Sequence, residues 1–319
     1  MAGSLSTTIR DLHRRRGRER RGLALAEGVR LVEEALAAGI RVRGAAVSPA
    51  LEGTPRGSAL KSALRERGVP MSEVGLAELD ELAGTEHPQG IVAVVEPRVW
   101  TLADVVAAPG SVLLVLDAVQ DPGNVGTVLR TALGLGAAGV VALKGTADLT
   151  NPKVLRGSMG AAFRLPAVST DIEGFLAWAG DRDVELWVAA ADGESAARRR
   201  NRTASPPLAL VLGNEGAGVS AALEAAAHRR ISIRLAPGVE SQARARDISG
   251  VYVPDCFGLL VLVQSFHALV ATAKTGLLES AKGCRDVAFG KAVDGYGARP
   301  DGGGDALGAS NIKGVERRG

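Results

Sequence analysis

The chain has 319 residues, 46% of them hydrophobic, which is enough to bury the cores of two domains. Its formal charge of +3 is too small to mark nucleic-acid binding by itself, and two cysteines, Cys256 and Cys284, form neither a disulfide framework nor a zinc-ligand spacing. The start, MAGSLSTTIRDLHRRR, lacks the apolar core of a secretory signal. The most apolar stretch, 258–273, is interrupted by Gln264, Ser265 and His267 and falls short of the roughly 18 to 20 residues of a membrane span, so a reduced cytoplasm is the expected location.

The charge is unevenly spread. Between Arg10 and Gly22 seven arginines stand against Asp11 and Glu19, a local +5 that leaves −2 for the rest. Residues 1–22 therefore read as a basic arm, either seeking phosphate or simply a solvated terminus. LALAEGVRLVEEALAAG then reads as a short strand and a helix with apolar Val29, Val32, Ala35 and Leu36. IRVRGAAVS is a strand, 57–67 a helix and VPMSEV a strand, and QGIVAVVEP is a β-branched run ended by Pro97. Residues 23–97 thus form a small α/β domain, and 98–110 the linker to a second domain.

From Ser111 the pattern becomes strand, loop, helix, repeated. SVLLVLDAV, GVVALK, ELWVAAA, PLALVLG and RISIRLA are continuous apolar runs of strand length. Such runs suit parallel strands covered on both faces, because half-exposed strands alternate. Helices are expected near 124–135, 151–160, 171–180 and 219–227. Together these predict an α/β domain over 111–255 with a doubly wound parallel sheet, in which ligands bind beyond the carboxyl ends of the strands.

Gly134-Leu-Gly136-Ala-Ala-Gly139 matches a dinucleotide fingerprint by letter but not by context. That fingerprint must follow a strand and open a helix, whereas these glycines close one helix and lead into GVVALK. A helix end and tight turn is the expected reading. Three other segments are informative. In LDAVQDPGNVGTVLRTA a strand leads through Asp117 and Asp121-Pro122-Gly123 to Asn124, a candidate N-cap, with Gly126 allowing close backbone approach and Arg130 in the second helical turn. In LALVLGNEGAGVS a buried strand ends in Gly213-Asn214-Glu215-Gly216, a turn able to lie against a flat ligand such as adenine. ISIRLAPGVES is a strand followed by a Pro-Gly loop. Each taken alone also reads as a routine strand, loop and solvated charge.

In that order and spacing, the three resemble the signature motifs of the SpoU-type (TrmH-like) RNA ribose methyltransferases of the SPOUT superfamily. NPKVLRGSMGAAFRLPAV resembles the family's intermediate stretch, and AEGVRLVEEAL with HPQGIVAVVEP looks like the small RNA-substrate-binding domain that precedes many members. The resemblance spans about residues 22–241. It implies a sheet tied into a deep trefoil knot and S-adenosylmethionine as cofactor. Leu212, Gly213, Ile233 and Leu235 would line the cofactor cleft, and Asn124, Arg130, Glu215 and Ser241 would occupy the polar active-site positions. It further implies a homodimer in which Arg130 reaches the partner's cofactor, a structured ribosomal or transfer RNA as substrate, a ribose 2′-hydroxyl as acceptor, and no metal.

After Glu240-Ser241 the sequence leaves the family pattern. Leu-Asn and an apolar helix are expected, but the chain reads Gln242-Ala-Arg-Ala-Arg-Asp. Residues 256–319 end in a Gly-rich stretch without period, expected to be an aberrant, partly disordered tail. A shifted reading frame near codon 242 or a genuine insertion would each produce this break. In the second case 259–273 serves as the displaced last helix; loss of the threading helix predicts weakened or lost cofactor binding. A catalytically inactive RNA-binding protein is the alternative function.

Overall fold

Two sheets organise the computed structural model, which describes residues 5–85, 88–195, 205–214 and 216–232. The first is four-stranded and holds β1 (Ala24–Glu27), β2 (Arg41–Val47), β3 (Met71–Glu73) and β4 (Ile91–Glu96) in the order β1-β4-β2-β3. Its β4 runs antiparallel to both neighbours, while β2 and β3 are parallel. One face is covered by α3 (Val29–Ala37) and α4 (Pro55–Glu66), which supply Leu31, Val32, Ala35, Leu60 and Leu64 to its core. Thr54 caps α4 through its hydroxyl, which accepts the Gly57 N–H at 3.0 Å.

The arginine-rich start is not a free arm. It forms α1 (Leu5–Leu12) and α2 (Arg15–Arg21), and Ile9 and Leu12 are fully buried against the second face of this sheet together with Leu79 and Leu82 of α5 (Leu76–Leu82). Burial of two large aliphatic side chains is worth about 3–6 kcal/mol, which outweighs the solvation preference of the arginines between and beyond them. Six of the seven arginines stay exposed; Arg18 alone is buried.

The second sheet is six-stranded and entirely parallel: β5 (Val112–Leu116), β6 (Val140–Leu143), β7 (Ala167–Thr170), β8 (Glu185–Ser195), β9 (Leu208–Leu212) and β10 (Arg229–Ser232), in the order β10-β8-β9-β5-β6-β7. The continuous apolar run of β5 divides between two faces. Val112, Leu114 and Leu116 pack with α6 (Pro122–Gly134) and α7 (Pro152–Ser158), whereas Leu113 and Val115 pack with α8 (Ile172–Gly180) and α9 (Ala221–Ala226). This is the doubly wound parallel sheet expected from the sequence. Strand β7 is an addition at the sheet edge. The stretch between the sheets also packs, with Val105 buried beside Val168 and Phe175. The glycines at 134–139 do close a helix, with Gly136 in the left-handed region at φ +73°.

The two halves meet along α7 and the loop before it. Leu155 and Phe163 complete the apolar core of the first sheet. Arg156 reaches Glu27, whose side chain is 1% exposed, at 2.6 Å. Arg18 on α2 reaches Asp148 at 2.5 Å. Burial alone raises the Asp148 carboxyl, but the Thr150 N–H, the Arg18 guanidinium and the Thr150 hydroxyl together hold it below the ordinary 3.8. A carboxyl lowered in the folded state stabilises fully above its unfolded value and loses that contribution as pH falls through the folded one. Asp148→Asn is therefore expected to cost about 2–3 kcal/mol at pH 7, since the hydrogen bonds it loses are to a charged group. In urea titrations across pH, the gap to the unsubstituted protein should hold constant from neutrality and narrow only below about pH 4.

Candidate functional site

Strands β9, β5 and β6 lie side by side in flush register, Leu212 opposite Leu116 and Leu116 opposite Ala142. The loops that leave their carboxyl ends therefore start at one level. The Asp117 N–H donates to the Leu212 carbonyl at 2.8 Å, extending the ladder by one residue. The Asp117 side chain is buried, and its Oδ2 accepts the Ser220 N–H at 2.6 Å. One residue thus fixes both ends of the loop after β9 relative to the loop after β5, Leu212 through its backbone N–H and Ser220 through its carboxylate.

Asn214 holds the rest of that loop. Its backbone N–H and carbonyl both pair with Gly218 at 2.9 Å, its Nδ2 donates to the Ala118 carbonyl at 2.9 Å, and its Oδ1 accepts the N–H groups of Gly216 and Ala217. Gly213 is required by closeness rather than by φ. A Cβ there would stand 2.3 Å from the Gly218 carbonyl carbon and 2.5 Å from the Val219 nitrogen. The third loop, after β6, is tied to the same centre. The Thr146 hydroxyl donates to the Leu116 carbonyl at 2.8 Å and the Ala147 N–H to the Val119 carbonyl at 2.9 Å. Ala118 itself has φ +56°, a left-handed conformation that costs an alanine on the order of 1 kcal/mol and is held by these surrounding bonds.

Helix α6 leaves this cluster, and its start differs from expectation. The N-cap is Asp121, whose Oδ1 accepts the Asn124 N–H at 2.7 Å. Proline has no N–H to satisfy and a φ suited to the first helical position, so Pro122 sets the cap at the residue before it. Asn124 consequently sits inside the first turn, half-buried. Gly126 does permit close approach, but to α7: a Cβ would lie 2.7 Å from the Val154 carbonyl oxygen and 2.9 Å from Gly157 Cα. Arg130 is exposed one and a half turns further along and forms no ion pair with another described residue.

Of the sequence-predicted site residues, Leu212 and Gly213 lie at the loop cluster, Asn124 in the first turn of the helix leaving it, and Arg130 on that helix's exposed face. Glu215, Ile233, Leu235 and Ser241 lie outside the described residues, as do the segment that would thread a knot and everything from 242 onward. Asp117 and Asn214, which organise the site, were not singled out as site residues. Their signal is a carboxylate directly after five apolar strand residues, and an asparagine directly after the glycine that ends the neighbouring strand.

The chemistry of these walls fits one class of ligand better than another. Among the described residues no lysine or arginine is buried in the loop cluster except Arg18 at its margin, and Asp148 neutralises it. A diphosphate would need such cations or an open helix N-terminus. What the loops offer is backbone amides and carbonyls, the apolar Leu212 and Val119, the buried Asp117 carboxylate, and the Ser220 hydroxyl, which is buried without a partner among the described residues. That set suits a flat heterocycle and a cationic centre, so S-adenosylmethionine fits. No group of three or more metal-ligating side chains occurs among the described residues. Asp117→Ala, which strands the Ser220 N–H, is expected to lower stability by about 1–3 kcal/mol and to weaken ligand binding at this cluster, read by thermal unfolding and titration calorimetry.

The SpoU rRNA Methylase family model matches residues 111–242, and the MRM3-like substrate binding domain model matches 7–93. The chain is 34% identical over 214 residues to 23S rRNA (guanosine(2553)-2′-O)-methyltransferase RlmP of Bacillus subtilis, covering 67% of this chain and 80% of that relative. It is 33% identical over 175 residues to 23S rRNA (guanosine-2′-O-)-methyltransferase RlmB of Xanthomonas campestris, covering 52% of this chain and 68% of that one. Among solved structures, the SpoU methyltransferase AviRb of Streptomyces viridochromogenes, in complex with AdoMet, aligns with a TM-score of 0.69 at 24% identity over 85% of this chain and 98% of that one, a likeness of fold. The family match ends at residue 242, where the sequence leaves the pattern.

Proposed function

The chain belongs to the SpoU rRNA methylase family, and from that premise we infer that it transfers a methyl group from S-adenosylmethionine to a ribose 2′-hydroxyl of RNA. The observation that carries this reading is the stitched cluster of three strand-end loops, whose walls suit a flat, cationic donor and not a dinucleotide. The substrate class is structured RNA, ribosomal or transfer RNA; the two relatives above are named for 23S ribosomal RNA.

S-adenosylmethionine supplies a methyl group activated by its positive sulfur. The chain's own residues have two remaining tasks. A ribose hydroxyl is a weak nucleophile and must lose its proton, here to solvent water, as the new O–C bond would form, the methyl–sulfur bond break and S-adenosylhomocysteine leave. It must also be held in line with the methyl group, which supplies much of the rate. Leu212 and Gly213 form the cofactor wall through backbone groups. Arg130 grips the phosphate next to the target ribose and polarises the hydroxyl, with Asn124 assisting; a guanidinium scarcely deprotonates, so Arg130 acts by charge rather than as a free base. Its exposure on α6 supports a homodimer in which it serves the partner's cofactor cleft. Glu215, Ser241, Ile233 and Leu235 complete the site in this reading, and a trefoil knot and cytoplasmic location follow from the same family pattern. No helix among the described residues is long and apolar enough to cross a membrane.

The break after Ser241 is proposed to weaken cofactor binding. Titration calorimetry with S-adenosylmethionine, combined with mapping of 2′-O-methyl groups in ribosomal RNA from cells with and without the gene, tests the whole reading. Saturable heat and one lost methyl mark are expected. Absence of both leaves an inactive RNA-binding protein. Translating the other two frames of the gene distinguishes a shifted frame, which would continue as Leu-Asn and an apolar helix, from an insertion.

A further inference from the structure

Arg18 stands apart from the other arginines of its segment. Its side chain is 3% exposed, and every nitrogen of the guanidinium is engaged. Nη1 donates to the carbonyls of Leu12 and His13 at 3.0 Å, which ties it to the turn between α1 and α2. Nη2 donates to Asp148 Oδ2 at 2.5 Å, and Nε donates to the same oxygen at 3.0 Å and to the Thr150 hydroxyl oxygen at 3.2 Å. The receiving side is itself preset. Asp148 Oδ1 accepts the Thr150 N–H at 2.9 Å and the Thr150 hydroxyl at 2.8 Å.

The position of Asp148 gives this clamp its meaning. Its neighbour Ala147 donates to the Val119 carbonyl, and Val119 lies in the loop between Asp117 and the Asp121 cap of α6. Four steps of hydrogen bond and chain therefore lead from the arginine-bearing helix α2 to the centre of the candidate site. On the other side of Arg18, Arg14 and Arg16 are exposed and pair with no described residue, so they face solvent as open cations. Fixing a helix only to stabilise the fold does not require a charged clamp. Apolar contacts between the halves already exist at Leu155 and Phe163, and a buried ion pair often adds no more stability than an apolar replacement, while its hydrogen bonds here impose one geometry.

We propose that Arg18 is a positioning residue for the methyl-transfer reaction: its clamp on Asp148 and Thr150 joins the amino-terminal domain to the site loops as one rigid unit, so that RNA held by the first is presented to the second at a fixed distance. This rests on the RNA methyl-transfer reading above.

The test uses the full chain and protein-free 23S ribosomal RNA, with hydrogen exchange and steady-state methyl transfer at saturating cofactor as readouts. In the unsubstituted protein RNA is expected to slow amide exchange both over 15–21 and over 117–121. In Arg18→Gln the slowing over 15–21 should persist while that over 117–121 is lost. The kcat should fall about tenfold, with KM for RNA within threefold, because misplacement acts on the reacting geometry rather than on binding. Arg18→Lys should recover part of the loss. Thr150→Val, which removes the two hydrogen bonds of the hydroxyl and leaves both charges, should move the same quantities less, and serves if Arg18→Gln fails to fold. Equal slowing over 117–121 in the variants, an unchanged kcat, or RNA that slows neither segment in the unsubstituted protein overturns the proposal. If no methyl transfer occurs at all, the functional reading fails, and the exchange measurements alone decide the clamp.

Discussion

Arg130→Ala is expected to lower single-turnover methyl transfer by about 10²–10³-fold at saturating RNA and cofactor, the range over which a positioned group that assists proton loss contributes. The fold should be indifferent. Arg130 is exposed on α6, opposite the stripe of Val125, Val128, Leu129 and Ala132 that binds the helix to the sheet, so its removal should change stability by no more than about 0.5 kcal/mol. Cofactor affinity from calorimetry should stay within about threefold, because the proposed cleft draws on Leu212 and Gly213 and their neighbours rather than on this side chain. Arg130→Lys should recover part of the rate: it keeps the charge but loses the bidentate fork that suits a phosphate. A single-turnover rate for Arg130→Ala close to that of the unsubstituted protein would remove Arg130 from the mechanism and leave Asn124 and Glu215 to be examined.

The sheet of the second half was legible because its strands are buried on both faces. Val112 to Leu116 and Leu208 to Leu212 have no polar residue to place in solvent, and their runs are continuous for that reason. Strand β7 escaped notice because Ala167–Thr170 is short, lies at the sheet edge and is only partly buried. The first segment misled for a different reason. Arginine dominates its composition, yet Leu5, Ile9 and Leu12 are spaced as one helical face, and that periodicity decides the outcome. The burial of Arg18 had no local signal at all, since its partner lies 130 residues away. At the site, the glycine turns were readable as turns. Which atoms they approach was not: Gly126 meets α7 and Gly213 meets its own loop, and only the packed backbone distinguishes these from contact with a ligand.

Gly213 carries the second large effect. Adding one methyl group at this position brings it within 2.5 Å of three backbone atoms of Gly218 and Val219, none of which belongs to a flexible side chain. Relief requires opening the loop, and the Asn214–Gly218 pairing and the Asp117–Ser220 bond resist that opening. Gly213→Ala is therefore expected to cost about 1–3 kcal/mol of stability and to weaken S-adenosylmethionine binding at least tenfold, measured by urea titration and calorimetry. Native affinity in a folded Gly213→Ala protein would mean that the cofactor does not lie on this loop. Combining the two substitutions addresses the proposed dimer. If Arg130 serves the partner's cleft, mixing Arg130→Ala with Gly213→Ala subunits produces heterodimers in which one cleft has both an intact loop and an intact arginine from opposite chains. With random exchange half the dimers are mixed and each holds one such cleft, so activity should return to about a quarter of the unsubstituted level. If each subunit serves its own cleft, no mixed dimer has a complete site and activity stays at the level of the separate variants. The physical difference is which chain supplies the positive charge opposite the cofactor wall, and the mixture reads it directly.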